Sequence, residues 1–304
     1  MRNRLIALAG ALLLLFCTGG VLEWQREKEP QYPMRRDLGI YFTNADAVVE
    51  TIRAALRDRS RQITVSYRSH ADNMNGIGGI VRELMTYALE ETDSPEEGDY
   101  IFQQYGGYEF TYSYTLQDDL YCYEIVITPQ YYTTAEQEAE VTARVQEILR
   151  EFGFTRRTTD YEKICAVYSY VTQNVRYDLV HRKHPNHHLR STAYAALIQG
   201  QATCQGYAAL VYRLLREAGV MTRIVTGTAG SGADAEAHAW NIVCIGGLYY
   251  NLDATWAQQS GTDDYFLRSD ANFPAHERDA MYADAAFYAQ YPMAETDYLK
   301  GEES

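Results

Sequence analysis

The chain has 304 residues, 46% of them hydrophobic, and a formal charge of −14 from 27 basic and 41 acidic side chains. That length and apolar content suit one large or two modest folded domains and exclude a chain disordered throughout. So acidic a balance also excludes nucleic acid and anionic lipid as main partners.

Arg2 and Arg4 precede an uncharged run at residues 5–22, leucine-rich at its centre, with Thr18, Gly19 and Gly20 near its end. This is the layout of a secretory signal, so residues 1–22 read as a signal peptide and the protein as exported, extracellular or at the cell surface. The run's 18 residues also suffice for an uncleaved anchor. Cys17 raises a lipoprotein signal as a third option, ranked last because bulky Phe16 precedes it. Membrane contact is expected only through this segment. A charged, proline-containing linker follows at residues 23–36.

Residues 37–132 read as a small α+β domain. Helical periodicity covers 43–58, capped by Thr43 or Asn44, with Ala47, Val48, Ile52, Ala55 and Leu56 on one face. The strand QITVSYR and a second helix at 77–91 come next, then the acidic loop ETDSPEEGD. Two tyrosine-rich alternating runs, YEFTYSYT and LYCYEIVITPQYY, are joined through the turn-like QDD. Exposed tyrosines can stack on sugars, but alternation with one buried face is ordinary strand composition, and packing is the preferred reading. Cys122, Cys165 and Cys244 likewise read as packing thiols in apolar stripes.

From Ala135 the pattern turns helical, in a segment ending at Gly153 and another capped by Thr159 or Asp160. The loop HRKHPNHH follows, with four histidines. It holds no cysteine or carboxylate and matches no regular zinc spacing, so no metal or cofactor is expected and the loop reads as solvated.

GQATCQGYA then sets one cysteine where a loop turns into a helix, with Thr203 as cap and Tyr207, Leu210, Val211, Leu214, Leu215 and Ala218 at helical spacing. At a first helical turn the dipole and unpaired N–H groups favour thiolate over thiol, which suits Cys204 to be a nucleophile. Gly200, Ala202 and Gly206 would let a substrate backbone approach. The Cys204 N–H is a candidate oxyanion donor, with Gln199 or Gln201 as a second.

HAWNIVCI and LYYNLDAT flank Gly246-Gly247, a two-residue hairpin signal. In that register Ile245 faces Leu248, Trp240 faces Asp253, and His238 faces Thr255. His238, Trp240 and Asp253 then share one side, with Asp253 one diagonal step from His238, ~7–8 Å at the backbone and within side-chain reach. A histidine oriented by a carboxylate is the pair a nucleophile needs. A bulge or longer turn would spoil the register.

With these pieces in order, the sequence resembles the transglutaminase-like superfamily. STAYAALIQGQATCQGYAALVYRLLREAGV, AHAWNIV and YYNLDATW are similar to its three signature blocks, and YFLRSD with His276 beyond resembles the closing segment of bacterial members. The resemblance spans residues 160–276. It implies an α+β, papain-like core in which the cysteine helix packs on an antiparallel sheet, placed in a domain at 133–304. It also implies Cys204 as nucleophile, His238 as general base and acid, and Asp253 as its orienting residue, with Trp240 and Trp256 flanking the cleft or packing beneath the hairpin.

The chemistry implied is acyl transfer on amide bonds of protein or cell-wall peptide, with an amine or water as second nucleophile. No acidic calcium loop like those of the animal enzymes is seen, so activity is expected without metal. The rival reading is a non-catalytic extracellular module that binds protein or peptide on the same fold.

Overall fold

The computed structural model describes residues 45–299 apart from 71, 73, 185, 233 and 234. The signal or anchor, the linker and the Thr43/Asn44 cap lie outside the described residues. The chain divides into two compact units, one of the described residues up to Glu91 with Tyr105–Tyr131, the other of Thr92–Gln104 with the described residues from Tyr132 onward.

In the first unit, α1 (Ala45–Arg57), β1 (Ile63–Ser69), α2 (Ile77–Ala88), β2 (Tyr105–Gln117) and β3 (Leu120–Tyr131) form an antiparallel sheet of order β1-β3-β2 with two helices. Val49, Ile52 and Leu56 give α1 its buried stripe at spacings of three and four. Buried Arg53 completes it by donating to Tyr87 O (2.6 Å) and Ala88 O (3.2 Å) at the end of α2. Period-two alternation buries Ile63, Val65 and Tyr67 on β1 and Tyr123, Ile125 and Ile127 on β3. The turn read in QDD is made by Asp118 (φ 50°) and Asp119 (φ 61°), the two positive φ angles a tight hairpin requires.

The second unit contains α3 (Asp99–Gln103), α4 (Ala135–Phe152), α5 (Asp160–Asn174), the short parallel pair β4 (Arg176–Tyr177) and β5 (Gln201–Ala202), and α6 (Cys204–Glu217). Beyond these come β6 (Thr222–Ala229), β7 (Glu236–Ile245), β8 (Leu248–Leu252), α7 (Ala254–Ser260), β9 (His276–Arg278) and α8 (Ala285–Gln290). The four later strands pair antiparallel in the order β8-β7-β6-β9. Both long helices begin in capping boxes, Thr134 with Gln137 and Thr159 with Glu162, so Thr159 rather than Asp160 is the cap of α5.

Twelve of the fourteen residues of α6 are buried, which makes it the centre of the unit rather than a surface helix. Its Tyr207, Leu210, Val211, Leu214 and Leu215 join Ile164, Val167 and Val171 of α5 and Ile224 and Val243 of the sheet in one core. The neighbouring strand positions Val225, Trp240 and Ile242 join Phe273, Tyr282 and Phe287 in another, so strand alternation gives the sheet two covered faces. Asn241 pins helix to sheet by donating to Ala208 O (3.0 Å) and Arg223 O (3.2 Å). The acidic stretch is held within this unit by charge. Asp99 accepts from Arg223 Nε (2.6 Å) and from the Ile224 N–H (2.8 Å), and Glu96 from Arg213 Nη2 (2.6 Å). Among the described residues no helix is long and apolar enough to cross a membrane.

Candidate active site

Three locally encoded devices set Cys204. The chain leaves a π-helical turn at Ala195–Gln199 through Gly200 (φ 69°), pairs briefly as β5 with β4, and turns at Thr203 into α6, whose first residue is Cys204. Thr203 is the N-cap as expected, but its side chain does not cap. Its hydroxyl turns instead toward Gln205 Oε1 (3.2 Å) and Arg190 O (3.4 Å). Gly206 also differs from its expected role. A Cβ there would meet the Ala202 Cβ at 2.6 Å and Thr192 O at 2.9 Å, so this glycine lets the first turn pack on the preceding loop and does not face substrate.

His238 and Asp253 meet through the hairpin. The expected register holds from Ile245↔Leu248 to Asn241↔Leu252, around Gly246 (φ 60°) and Gly247 (φ 87°). Pairing ends there, so Asp253 does not continue the ladder opposite Trp240; it becomes the N-cap of α7. Its Oδ1 accepts from the Thr255 N–H (2.8 Å) and the Trp256 N–H (3.1 Å). That leaves Oδ2 facing His238 Nε2 at 2.7 Å. Cys204 acts on the same imidazole through its charge and a side-chain contact, and with Nε2 committed to Asp253 the ring nitrogen left to meet the thiol is Nδ1. Cys204, His238 and Asp253 are 5%, 8% and 1% exposed as residues, so their interactions are only weakly screened.

The electrostatics follow from that burial. Desolvation alone would push His238 down, but the charges of Asp253 and Cys204 and hydrogen bonds to both outweigh it and raise His238 from 6.5 to about 10. For Asp253, burial opposes ionisation, while the His238 charge and the hydrogen bonds from His238 and His276 hold its carboxyl well below the usual range. The arrangement therefore favours an ionised Asp253 beside a protonated His238.

The other expected residues are placed as follows. Trp240 is buried, donates from Nε1 to Asn251 Oδ1 (3.1 Å) and lies under the His238 ring at 6.1 Å between centroids, so it forms the floor of the site and no wall of a cleft. Trp256 is half-buried, 5.7 Å from the His238 ring. Gln199 and Gln201 are both exposed, and Gln201 Nε2 donates to Asp178 Oδ1 (3.4 Å).

Several neighbours were not assigned roles from the sequence. Gln205 Oε1 accepts from Cys204 Sγ at 3.5 Å, a contact between adjacent residues that only the helix start creates. His276 Nε2 lies 3.1 Å from the same Asp253 Oδ2 that His238 uses. Asp178 brings the missing carboxylate to the histidine loop, where its Oδ2 stands 3.0 Å from His181 Nδ1, and one ligand atom each from Asp178, His181 and His187 lies within 4.8 Å of the others. Counting residues inside HRKHPNHH stops short of Asp178, three positions before its first histidine.

Fold and site define a transglutaminase-like α+β protein. Residues 150–254, from the end of α4 through the cysteine helix to just past Asp253, match the model of the Transglutaminase-like superfamily. It is similar to the Kyphoscoliosis peptidase of Homo sapiens, at 29% identity over 107 residues, which cover 32% of this chain and 16% of that protein. Among solved structures it is similar to a TGase (16% identity, TM-score 0.35, covering 57% of this chain and 50% of the other). A candidate cysteine protease from Cytophaga hutchinsonii is also similar (14% identity, TM-score 0.31, covering 50% and 66%).

Proposed function

We propose that the protein is an exported, cysteine-dependent acyltransferase or peptidase acting on amide bonds of protein or cell-wall peptide. The observation that carries this reading is the line from Asp253 Oδ2 through His238 Nε2, 2.7 Å away, to Cys204 at the first position of a buried helix. The uncharged run behind Arg2 and Arg4 supports export. Likeness to a protein named a peptidase supports the hydrolytic branch.

The chemistry begins with the proton of Cys204 on His238. The thiolate attacks the amide carbonyl carbon, and the carbonyl electron pair moves onto oxygen. The Cys204 N–H, which as the first of the helix has no intrahelical acceptor, donates to that oxyanion. The C–N bond breaks as His238 hands its proton to the leaving nitrogen, which leaves a thioester on Sγ and a neutral imidazole. His238 then takes a proton from an incoming amine or water as it attacks the thioester, and collapse returns the thiolate beside a protonated His238. An amine yields a crosslink and water yields hydrolysis.

The test is iodoacetamide labelling of the full chain across pH, with mass spectrometry to identify the modified thiol, followed by trapping of a hydroxylamine-sensitive acyl group on Cys204 from a peptide-amide library. Labelling is expected to be fast at neutral pH and to slow by about 100-fold or more in His238→Ala. Turnover that persists undiminished in Cys204→Ala would sink the mechanism. Slow labelling indifferent to His238→Ala would favour the binding-module reading.

A further inference from the structure

The chain that leaves β4 carries a donor at every third residue, Asp178, His181, His184 and His187. Its backbone turns in the same step, the His184 N–H donating to His181 O (2.8 Å) and the His187 N–H to His184 O (3.2 Å). Side chains three apart are brought toward one another by successive turns of this kind. Both ends of the column are anchored. At its start the Asp178 N–H donates to Ala202 O (2.9 Å), two residues before Cys204. At its end Arg190 Nη1 donates to His184 O (2.7 Å) and to His187 O.

Within that column three donors converge. Asp178 Oδ1 accepts from the Val180 N–H (3.1 Å) and the His181 N–H (2.9 Å), which fixes the carboxylate and leaves Oδ2 facing His181 Nδ1 at 3.0 Å. Two atoms bound to one zinc ion at ~2.0–2.1 Å, with an angle of about 90–109° between them, stand ~2.9–3.4 Å apart. This pair already has that spacing. A hydrogen bond between Asp178 and His181 needs no third member, yet His187 lies against His181 with ring centroids 4.3 Å apart, and one ligand atom from each of the three residues is within 4.8 Å of the others. His184 stands further off, its ring 6.4 Å from that of His187 and its Nδ1 accepting from the Asn186 N–H (3.3 Å). The loop's cations are engaged elsewhere, Arg190 with the two carbonyls, and Lys183 and Arg182 with Glu236 (3.2 and 3.8 Å). The Asp178 side chain is 4% exposed and that of His181 43%, so an ion has a way in from solvent on the histidine side.

We propose that Asp178, His181 and His187 bind a divalent zinc-type ion, with solvent completing its coordination, and that the ion clasps this loop beside the cysteine helix. Two imidazoles with one carboxylate suit zinc, whereas magnesium and calcium take sets of oxygen ligands. The ion takes no part in the chemistry at Cys204. It ties the loop to β4, whose Tyr177 pairs with Ala202, while Arg182 and Lys183 carry the loop's outer side to Glu236 on β7, two residues before His238. One approach to the cysteine is thereby stiffened. The site does not rest on the proposed acyl transfer and would be present in a binding module as well.

The experiment is calorimetric titration of the full chain with Zn²⁺ alone, in protein purified without a histidine tag and carrying Cys204→Ala, so that the active-site thiol takes no metal. A site filled by one ion per chain is expected. Asp178→Asn keeps an oxygen for the Val180 and His181 N–H groups, and His187→Gln keeps a polar side chain on the loop. Each, added to that background, should weaken binding by more than ~100-fold, beyond the 10–100-fold that losing an outer partner of a ligand costs. His184→Gln should leave the affinity unchanged. In limited trypsin digestion mapped by mass spectrometry, Zn²⁺ at 100 times its Kd should slow cleavage after Arg182 and Lys183 by about 100-fold, with cleavage elsewhere as the internal measure, and should give no protection in Asp178→Asn. Absence of Zn²⁺ binding, or of protection at those two bonds, overturns the proposal without any ligand variant having to fold. Affinity unchanged in Asp178→Asn and His187→Gln with native tryptophan fluorescence overturns it too. Affinity lost equally in His184→Gln does the same, since it marks an adventitious ion only, held by a histidine-rich loop.

Discussion

Replacing Asp253 tests the site at its most connected atom pair. Asp253→Asn keeps an oxygen for the Thr255 and Trp256 N–H groups but turns an amide NH₂ toward His238 Nε2 and His276 Nε2, which now lie 2.7 and 3.1 Å from a carboxylate oxygen. To avoid a clash of donors, His238 must offer a lone pair at Nε2 and carry its proton on Nδ1 toward Cys204, the wrong tautomer for a base. Breaking a buried charge pair in this way costs about 3–5 kcal/mol. Asp253→Ala loses the same pair and the helix cap besides, about 1 kcal/mol more. Urea unfolding followed by tryptophan fluorescence is the assay, because Trp240 and Trp256 both border the His238 ring. Turnover should drop by about 10⁴-fold in Asp253→Asn, as expected when the orienting carboxylate is neutralised. An unfolding free energy within about 1 kcal/mol of wild type, together with unchanged Cys204 alkylation, would refute the shared-acceptor geometry.

Stability should depend on pH through the same pair. His238 is raised from 6.5 to about 10 in the folded state, so its contribution is complete below about 6.5 and is lost as pH rises through about 10. Asp253 is lowered from 3.8, so its contribution is present above that value and lost as pH falls. Denaturant midpoints measured from pH 3 to 10 should therefore peak between about 4 and 6.5, and a plateau extending to pH 9 would contradict the ion pair. Gly227→Ala should displace β9, since the added methyl overlaps Glu277 O; a loss of about 1–3 kcal/mol and of the His276 contact to Asp253 is expected by denaturation and NMR. Asn241→Leu removes the hydrogen bonds to the Ala208 and Arg223 carbonyls that tie helix to sheet and should cost about 1–3 kcal/mol in the same denaturation assay.

How far the sequence could be read depended on how far apart the interacting parts lie. The hairpin was legible because Gly246-Gly247 fixes a two-residue turn, and five pairs of register follow from it without any knowledge of the rest of the fold. The cysteine helix was legible from its apolar spacing, and the start of α5 was narrowed to a cap at Thr159 or Asp160, of which Thr159 is the one used. Contacts that depend on distant backbone were not. Gly206 has no local conformational demand, and its purpose shows only when Thr192 and Ala202 are brought against it. The pairing of β9 with β6 joins positions some fifty residues apart, through a three-residue strand too short to carry a periodic signal. His276 was therefore visible as part of a resembling segment and not as a partner of Asp253.

Asp253 shows why one residue can look ordinary and still hold the site together. An aspartate before a short helix is a frequent cap, and by that local criterion nothing more is needed. The cap, however, occupies Oδ1 alone and fixes the plane of the carboxylate, which leaves Oδ2 held in one direction. Strand β8 ends just before it, so that direction points back across the sheet to His238, while β9 brings His276 to the same oxygen. The helix cap is what makes the carboxylate rigid enough to orient a histidine, and the hairpin register is what supplies the histidine to be oriented.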